Sequence, residues 1–230
     1  MLLLVAGLLL PGAASAARTP FQIRCEDDIS KTISVLTAQQ SGYSIATHLS
    51  YQSLTRMKGD APANSHVLGL TKTESRVEIG LSGAILQDAA SGYECIAPRI
   101  MVKLFYVPVV VYVGSEFAPG TCAYQEILTH ELRHMKAYMD HLPKVETLVR
   151  AALAKRFEDK PLYAPSGTAK SALVHEIDSG WMPYIKTEMG KVELQQAAID
   201  SPEEYARLGK SCQGAILAII ARHGAPRRQP

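Results

Sequence analysis

The sequence predicts an α+β fold in which strands come first and helices follow. Residues 18–120 contain short segments rich in β-branched and aromatic residues, whereas residues 121–230 show helical patterning with recognisable caps. Hydrophobic residues make up 47% and charged residues 20% of the chain, which is typical of a globular domain and not of a disordered chain. We therefore expect residues 18–230 to form a single domain.

The first 17 residues have the pattern of a secretory signal peptide. The apolar run from Leu2 to Leu10 is too short to span a bilayer, and Ala14-Ser15-Ala16 matches the A-x-A cleavage pattern. We expect residues 1–17 to be removed and the rest to be exported, to the periplasm or outside the cell. No transmembrane segment is then expected to remain.

Four cysteines follow the signal peptide: Cys25, Cys95, Cys122 and Cys212. An even number in an exported chain is typical of disulfides, and no two of them have the CxxC spacing of a zinc site. Four cysteines allow three pairings, among which the sequence does not choose. We favour Cys25–Cys95, which closes the N-terminal part on itself, and Cys122–Cys212, which ties residue 122 to the last predicted helix.

Three segments of the first half are predicted strands. They cover residues 75–86, 99–106 and 109–114, which are alternating or rich in β-branched and aromatic residues. Residues 25–40 fit either a strand or a helix, and this alternative stays open. Pro108 cannot donate to a β-ladder, so it predicts a bend, a bulge or an edge between the last two strands.

The second half is predicted to be helical. Thr121 is a plausible N-cap for a helix over 122–141, and Pro143 suits the first position of a second helix that runs to about Phe157. A longer helical stretch over 169–198 is expected to be interrupted near Gly180 and Pro183.

A last helix is predicted to begin at Ser201-Pro202-Glu203-Glu204. This stretch has the pattern of a capping box with proline in the first turn. The same helix is expected to end in the apolar run GAILAIIA, which is far too short to span a membrane.

The stretch HELRH at 130–134 is the clearest chemical signal in the chain. Residues i and i+4 lie on one face of a helix, so His130 and His134 can present two imidazoles to one zinc ion. Glu131 can reach a water at that ion and act as the general base for amide hydrolysis. The motif therefore predicts a Zn²⁺ cofactor and a hydrolytic reaction.

At HELRH the chain resembles the zincin metalloproteases, and most closely the small secreted zincin-like proteins of bacteria, including the DUF922-type group. The resemblance is clearest from Arg99 to Leu142. It implies zinc binding by His130 and His134, a catalytic base at Glu131, and a zincin-like fold with an N-terminal antiparallel or mixed sheet before a mostly helical half. It also implies an edge strand near the site, at 109–114, that binds an extended peptide by β-addition.

The third zinc ligand is not decided by the motif. The metzincin pattern HExxHxxGxxH places Ala137 where glycine should turn the chain and Asp140 where the last ligand should stand, so HELRHMKAYMD is a partial match. A ligand from a later helix is the alternative, and His175 is our choice because histidine is a frequent zinc ligand. Glu176 is close behind it.

Two acidic residues at the last helix receive other interpretations. Glu204 is a further ligand candidate, but it already serves as the acid of the capping box. Asp200 directly precedes the cap and is interpreted as a residue that fixes the turn. The ligand set predicted from sequence is therefore His130, His134 and His175.

These observations predict an exported zinc-dependent hydrolase, a metallopeptidase with a peptide or protein substrate. The formal net charge of +2 and the lack of a basic stripe argue against a nucleic-acid partner. One alternative is a non-catalytic periplasmic binding or assembly protein, in which the helix only packs or holds a structural metal. Another is a zinc amidase that acts on cell-wall peptides, because zinc and a carboxylate can hydrolyse any amide.

Overall fold

The computed structural model describes residues 17–29, 34–39, 42–59 and 65–224, so nearly all of the predicted signal peptide lies outside the described residues. The described chain is α+β, as expected. Its helices are α1 (Pro20–Ile29), α2 (Tyr51–Lys58), α3 (Cys122–Phe157), α4 (Ala169–Glu176), α5 (Met182–Gly190), α6 (Val192–Ile199), α7 (Pro202–Lys210) and α8 (Ala215–Gly224). Its strands are β1 (Val35–Gln39), β2 (Tyr43–Ala46), β3 (Gly69–Lys72), β4 (Ser75–Asp88), β5 (Tyr93–Tyr106), β6 (Val109–Val113) and β7 (Leu162–Pro165).

The strands form two mixed sheets. In the larger sheet, β5 pairs antiparallel with β4 along one side; along the other side it pairs parallel with β1 and antiparallel with β7. In the smaller sheet, β6 lies between parallel β2 and antiparallel β3. Pro108 stands where the chain passes from the larger sheet to the smaller one, which is the predicted bend.

The expectation of an edge strand at 109–114 is wrong. β6 is paired on both sides, so its backbone groups are taken up by β2 and β3. The edge strand that contacts the HELRH helix is β3, whose Thr71 hydroxyl donates to Glu131. The sequence did not indicate this strand because four residues, GLTK, are too short to show a period.

Helix α3 is continuous through Pro143, and the prediction of two helices is wrong here. Its N-cap is Thr121, as expected, and the side chain accepts the N–H of Tyr124 at 3.2 Å. A proline inside a helix removes one hydrogen bond and costs about 3 kcal/mol. Buried Leu142 and Val145 on either side of Pro143 pack into the same core, and this packing offsets the lost bond.

The C-terminal helices differ from expectation at two points, and one of them is a break at Lys191 between α5 and α6. The interruption near Gly180 is present as a π-helical turn at Ile177–Trp181, and the Ser201 side chain caps α7 by accepting the N–H of Glu204. The predicted single last helix is instead two helices. A 3₁₀ turn at Ser211–Gly214 separates α7 from α8, with Cys212 and Gln213 at φ of 55° and 56°.

Both disulfides of the structure have the favoured pairing, Cys25–Cys95 and Cys122–Cys212. The first joins α1 to β5, and the second joins the first residue of α3 to the turn before α8. Two disulfides are consistent with an exported chain. Among the described residues, no helix has both the length and the apolar character needed to cross a bilayer.

Candidate metal centre

Helix α3 places His130 and His134 one turn apart on a buried face. The two residues are 5% and 8% exposed, and their Nε2 atoms are 3.2 Å apart. The four-residue spacing produces this pairing, because residues i and i+4 of a helix project in the same direction. The structure thus brings the two motif histidines together, as the sequence predicts.

The third member of the group is Asp200, the residue that follows α6. Its Oδ1 lies 3.2 Å from Nε2 of His130 and 3.0 Å from Nε2 of His134. Ligands at 2.0–2.1 Å around a tetrahedral zinc ion stand about 3.3 Å apart, so these separations fit one ion. His130, His134 and Asp200 can therefore hold a metal ion together.

The outer nitrogens of the two imidazoles have their own acceptors. Nδ1 of His130 lies 3.2 Å from Oε1 of Glu204, and Nδ1 of His134 lies 2.5 Å from Oε1 of Gln196. Arg133 also approaches Nδ1 of His130, but a guanidinium only donates, and its hydrogen bond goes to the closer Glu204 oxygen. If each Nδ1 donates to its acceptor, the Nε2 atom of each imidazole is left available to a metal ion at Asp200. Partners of this kind fix the tautomer of metal-binding histidines.

The three atoms of the group converge closely. Two imidazole nitrogens and one carboxylate oxygen meet there, which is unfavourable unless a metal ion or protons lie between them. Burial opposes protonation of His134, but the hydrogen bond with Asp200 and the charge of Glu131 together raise its pKa. Partial burial opposes ionisation of Asp200, yet hydrogen bonds from His130 and His134 hold its pKa far below the usual range.

Glu131 lies beside the group on α3 and is 5% exposed. Its Oε2 accepts a hydrogen bond from the Thr71 hydroxyl at 3.0 Å. Burial raises the pKa of Glu131, while the nearby charges of His134 and His130 act in the opposite direction. A carboxyl with a raised pKa is suited to exchange protons near neutral pH.

A cavity of about 540 Å³ opens in front of these residues. Its lining includes the edge strand β3 with the residues before it, and apolar residues of α7 and α8. His130, Glu131, His134 and Asp200 all line the cavity. A ligand in the cavity can thus reach the candidate metal group and Glu131 together.

The other ligand candidates lie apart from the histidine pair. His175 is exposed on α4 and lines a separate surface depression with Lys170 and Asp178. Glu176 pairs with Arg156 at 2.8 Å, and Asp140 pairs with Lys136 at 2.6 Å. These pairs are ordinary charge pairs of partly or fully exposed side chains.

Glu204 contacts the group from outside. The Ser201 half of the predicted capping box is present, but the Glu204 carboxylate binds His130 Nδ1 and Arg207. The hydrogen bond from Arg207 is the main cause that lowers the pKa of Glu204 to about 2. This carboxylate is therefore ionised and orients His130, and it does not stand at the centre of the group.

Asp200 is the residue whose role the sequence did not reveal. It lies 66 positions after His134, and its place directly before a helix cap suggested a role in the turn. The only signal is an acidic residue at the junction of two helices, which is common in proteins without a metal. Its second oxygen accepts a hydrogen bond from Lys58 at 3.0 Å.

Comparisons with protein-family models, with curated proteins and with solved structures found no match to this chain. The chemistry of the site is therefore argued from its own geometry.

Proposed function

We propose that this protein is an exported zinc-dependent peptidase with a zincin-like fold. The observation that carries the proposal is the convergence of His130, His134 and Asp200 at separations of 3.0–3.2 Å, with Glu131 next to them in a cavity. Two imidazoles and one carboxylate suit zinc, and three protein ligands leave one position of a tetrahedron for water or substrate. Two histidines four positions apart, with a glutamate directly after the first, are the motif of hydrolytic zinc sites.

Glu131 has the role of general base in this proposal. A zinc ion at the group would polarise a scissile carbonyl and lower the pKa of a water molecule. Glu131 would take a proton from a water molecule beside the group and then pass it to the departing amine nitrogen, so the carboxylate would be regenerated in each cycle. Its burial beside the cavity keeps it close to the group and away from bulk solvent.

Strand β3 offers a place for an extended peptide. Gly114 donates its N–H to the Leu68 carbonyl at 2.8 Å, which sets the alternation of the ladder between β3 and β6. Leu70 therefore directs its backbone groups towards β6, and Gly69 and Thr71 direct theirs away from it. A peptide that adds to this edge would lie along the cavity beside Glu131.

Metal content is the first test of the proposal. The protein is exported into an oxidising compartment, purified without a histidine tag, and analysed for zinc as wild type and as His134→Ala. About one zinc ion per wild-type chain and little in the variant would support the site. A wild type that takes up no zinc, even when zinc is supplied, would overturn the peptidase and favour a binding or assembly protein.

Peptide cleavage is the second test. A mixture of fluorogenic peptides is incubated with zinc-loaded wild type and with Glu131→Gln. Because a general base contributes roughly 10²–10⁴-fold to a rate, we expect the variant to retain zinc and lose cleavage by about that factor. Equal cleavage by both proteins would show that Glu131 is not the base.

A further inference from the structure

The Thr71 hydroxyl contacts Glu131 at two points. Its Oγ1 lies 3.0 Å from the carboxylate Oε2 and 2.9 Å from the main-chain carbonyl oxygen of the same residue. A hydroxyl has one hydrogen to donate and can also accept. Thr71 can therefore donate to only one of the two oxygens at a time, and it can accept a hydrogen bond from the other side.

Close packing of β3 on α3 keeps Glu131 against this hydroxyl. A Cβ atom added at Gly69 would stand 2.6 Å from Cγ of Glu131 and 2.9 Å from Cγ2 of Ile127. Such distances are far shorter than ordinary contacts between carbon atoms. The absence of a side chain at residue 69 thus lets the Glu131 side chain lie directly on the edge strand.

We propose that Thr71 is a positioning residue that holds the Glu131 carboxyl beside the candidate metal group. Its hydroxyl contacts both Oε2 and the main-chain carbonyl oxygen of Glu131, so it ties the side chain to the backbone of α3 and to the edge strand. Gly69 on the same strand leaves room for this contact, because a side chain there would displace Glu131.

This inference rests on the proposed function, because it assigns a partner to the proposed base. Its consequence is that the strand offered to an extended peptide also orients the base. Thr71 directs its backbone groups away from β6 and its hydroxyl to Glu131. Substrate binding on β3 and the geometry of Glu131 are therefore linked through a single residue.

The test uses acetohydroxamic acid as the probe. Acetohydroxamate can bind a metal through its two oxygen atoms and can also donate an N–H hydrogen bond to a carboxylate beside that metal, so its affinity depends on where Glu131 is held. The full protein is loaded with zinc, and the dissociation constant is measured by calorimetry for wild type, Thr71→Val and Thr71→Ser. Thr71→Ala serves as a second hydroxyl-free variant if valine disturbs folding, and Thr37→Val on the exposed part of β1 is the matched control.

We expect Thr71→Val and Thr71→Ala to bind acetohydroxamate about tenfold more weakly than wild type, the lower range for losing a partner that orients groups at a metal site. Thr71→Ser and Thr37→Val should bind like wild type, and zinc content should be equal in all five proteins. Wild-type affinity in the hydroxyl-free variants would overturn the inference. Loss of zinc in those variants would also overturn it, because Thr71 would then support the metal group rather than the base.

Failure of the proposed function gives a different result. If wild type itself takes up no zinc, both the peptidase and the role of Thr71 are wrong. If wild type binds zinc and acetohydroxamate, only the comparison among the Thr71 variants decides the inference.

Discussion

Helix α3 crosses both sheets, and its two halves bury different kinds of side chain. Residues 122–141 include the contacts of α3 with the core of the smaller sheet, and they bury three histidines and one glutamate: His130, Glu131, His134 and His141. Residues 142–157 pack on the larger sheet, and their buried side chains are all apolar: Leu142, Val145, Val149, Leu153 and Phe157. Burial of polar groups costs free energy unless they are paired. The first half of α3 therefore needs polar partners from other elements, and the second half does not.

His141 shows that burial of a histidine alone does not indicate a metal. Its Nε2 lies 2.9 Å from the carbonyl oxygen of Glu188, which can only accept, so this nitrogen carries a hydrogen and is satisfied. The Nε2 atoms of His130 and His134 instead face each other and a carboxylate oxygen of Asp200. The difference on one helix lies in the partners that other elements supply, and it separates a structural histidine from a candidate ligand.

The largest effect on zinc affinity is expected for Asp200, the candidate ligand outside α3. Asp200→Ala should weaken zinc binding by at least about 100-fold, more than the usual effect of residues that only orient ligands. His175→Ala should leave zinc affinity unchanged, because His175 lies on a separate surface. Competition with a chromophoric chelator measures both. If His175→Ala weakened zinc binding and Asp200→Ala did not, the third ligand would be His175 on α4. The interpretation of the buried histidines in the first half of α3 would then be wrong.

The C-terminal half of α3, residues 142–157, should contribute to the stability of the fold and not to metal binding. Leu153 is 1% exposed in the core of the larger sheet, so Leu153→Ala should lower the free energy of unfolding by about 2–5 kcal/mol. Leu194→Ala is the control, since Leu194 is 76% exposed and its loss should change stability by about 0.5 kcal/mol or less. Urea unfolding measures the energies. Zinc content in folded Leu153→Ala should equal that of wild type, and a loss of zinc would show that the two halves are coupled.

A smaller effect on zinc affinity is expected when only the orientation of His130, in the first half of α3, is disturbed. Glu204→Gln replaces the ionised acceptor of Nδ1 by an amide, so zinc affinity should fall about 10–100-fold. Glu203→Gln is the matched control, because Glu203 is in the same helical turn but exposed. Chelator competition with both variants separates orientation of His130 from the general loss of a negative charge at a helix N-terminus. Equal effects would contradict the specific role of Glu204.

The smallest effect is expected on stability, from Glu94, a buried carboxylate of the larger sheet. Backbone hydrogen bonds from Gly167 and Ala169 hold the pKa of Glu94 below its ordinary value of 4.5. A carboxyl with a lowered pKa stabilises the folded state above pH 4.5, and this contribution is lost as the pH falls through the lower folded-state value. Wild type should therefore exceed Glu94→Gln in stability at pH 7, and the gap should narrow towards pH 3.

Denaturant unfolding at both pH values checks this expectation, with Glu78→Gln as the control at an exposed position of β4. A stability difference between wild type and Glu94→Gln that stays constant with pH would show that the charge of Glu94 does not contribute to stability. Zinc binding should not respond to Glu94→Gln, because Glu94 belongs to the larger sheet.

Several local features could be predicted from the sequence because short-range rules decide them. The strands around Pro108, the N-caps Thr121 and Ser201, and the helix that carries HELRH are all present. The predicted helix boundaries are wrong where tertiary packing competes with local preference. Pro143 continues a helix because buried neighbours on both sides hold it in the core, and the last helix is broken at a turn that the Cys122–Cys212 disulfide joins to α3.

The sequence by itself determined which two histidines share a helical face and which glutamate stands beside them, because the period of an α-helix settles such relations within a few residues. Only the tertiary structure decided that Asp200, and not His175, faces those histidines, and that β3, and not β6, is the edge strand at Glu131. These relations join residues some 60 or more positions apart. They depend on how sheets and helices pack, which no local pattern in the chain records.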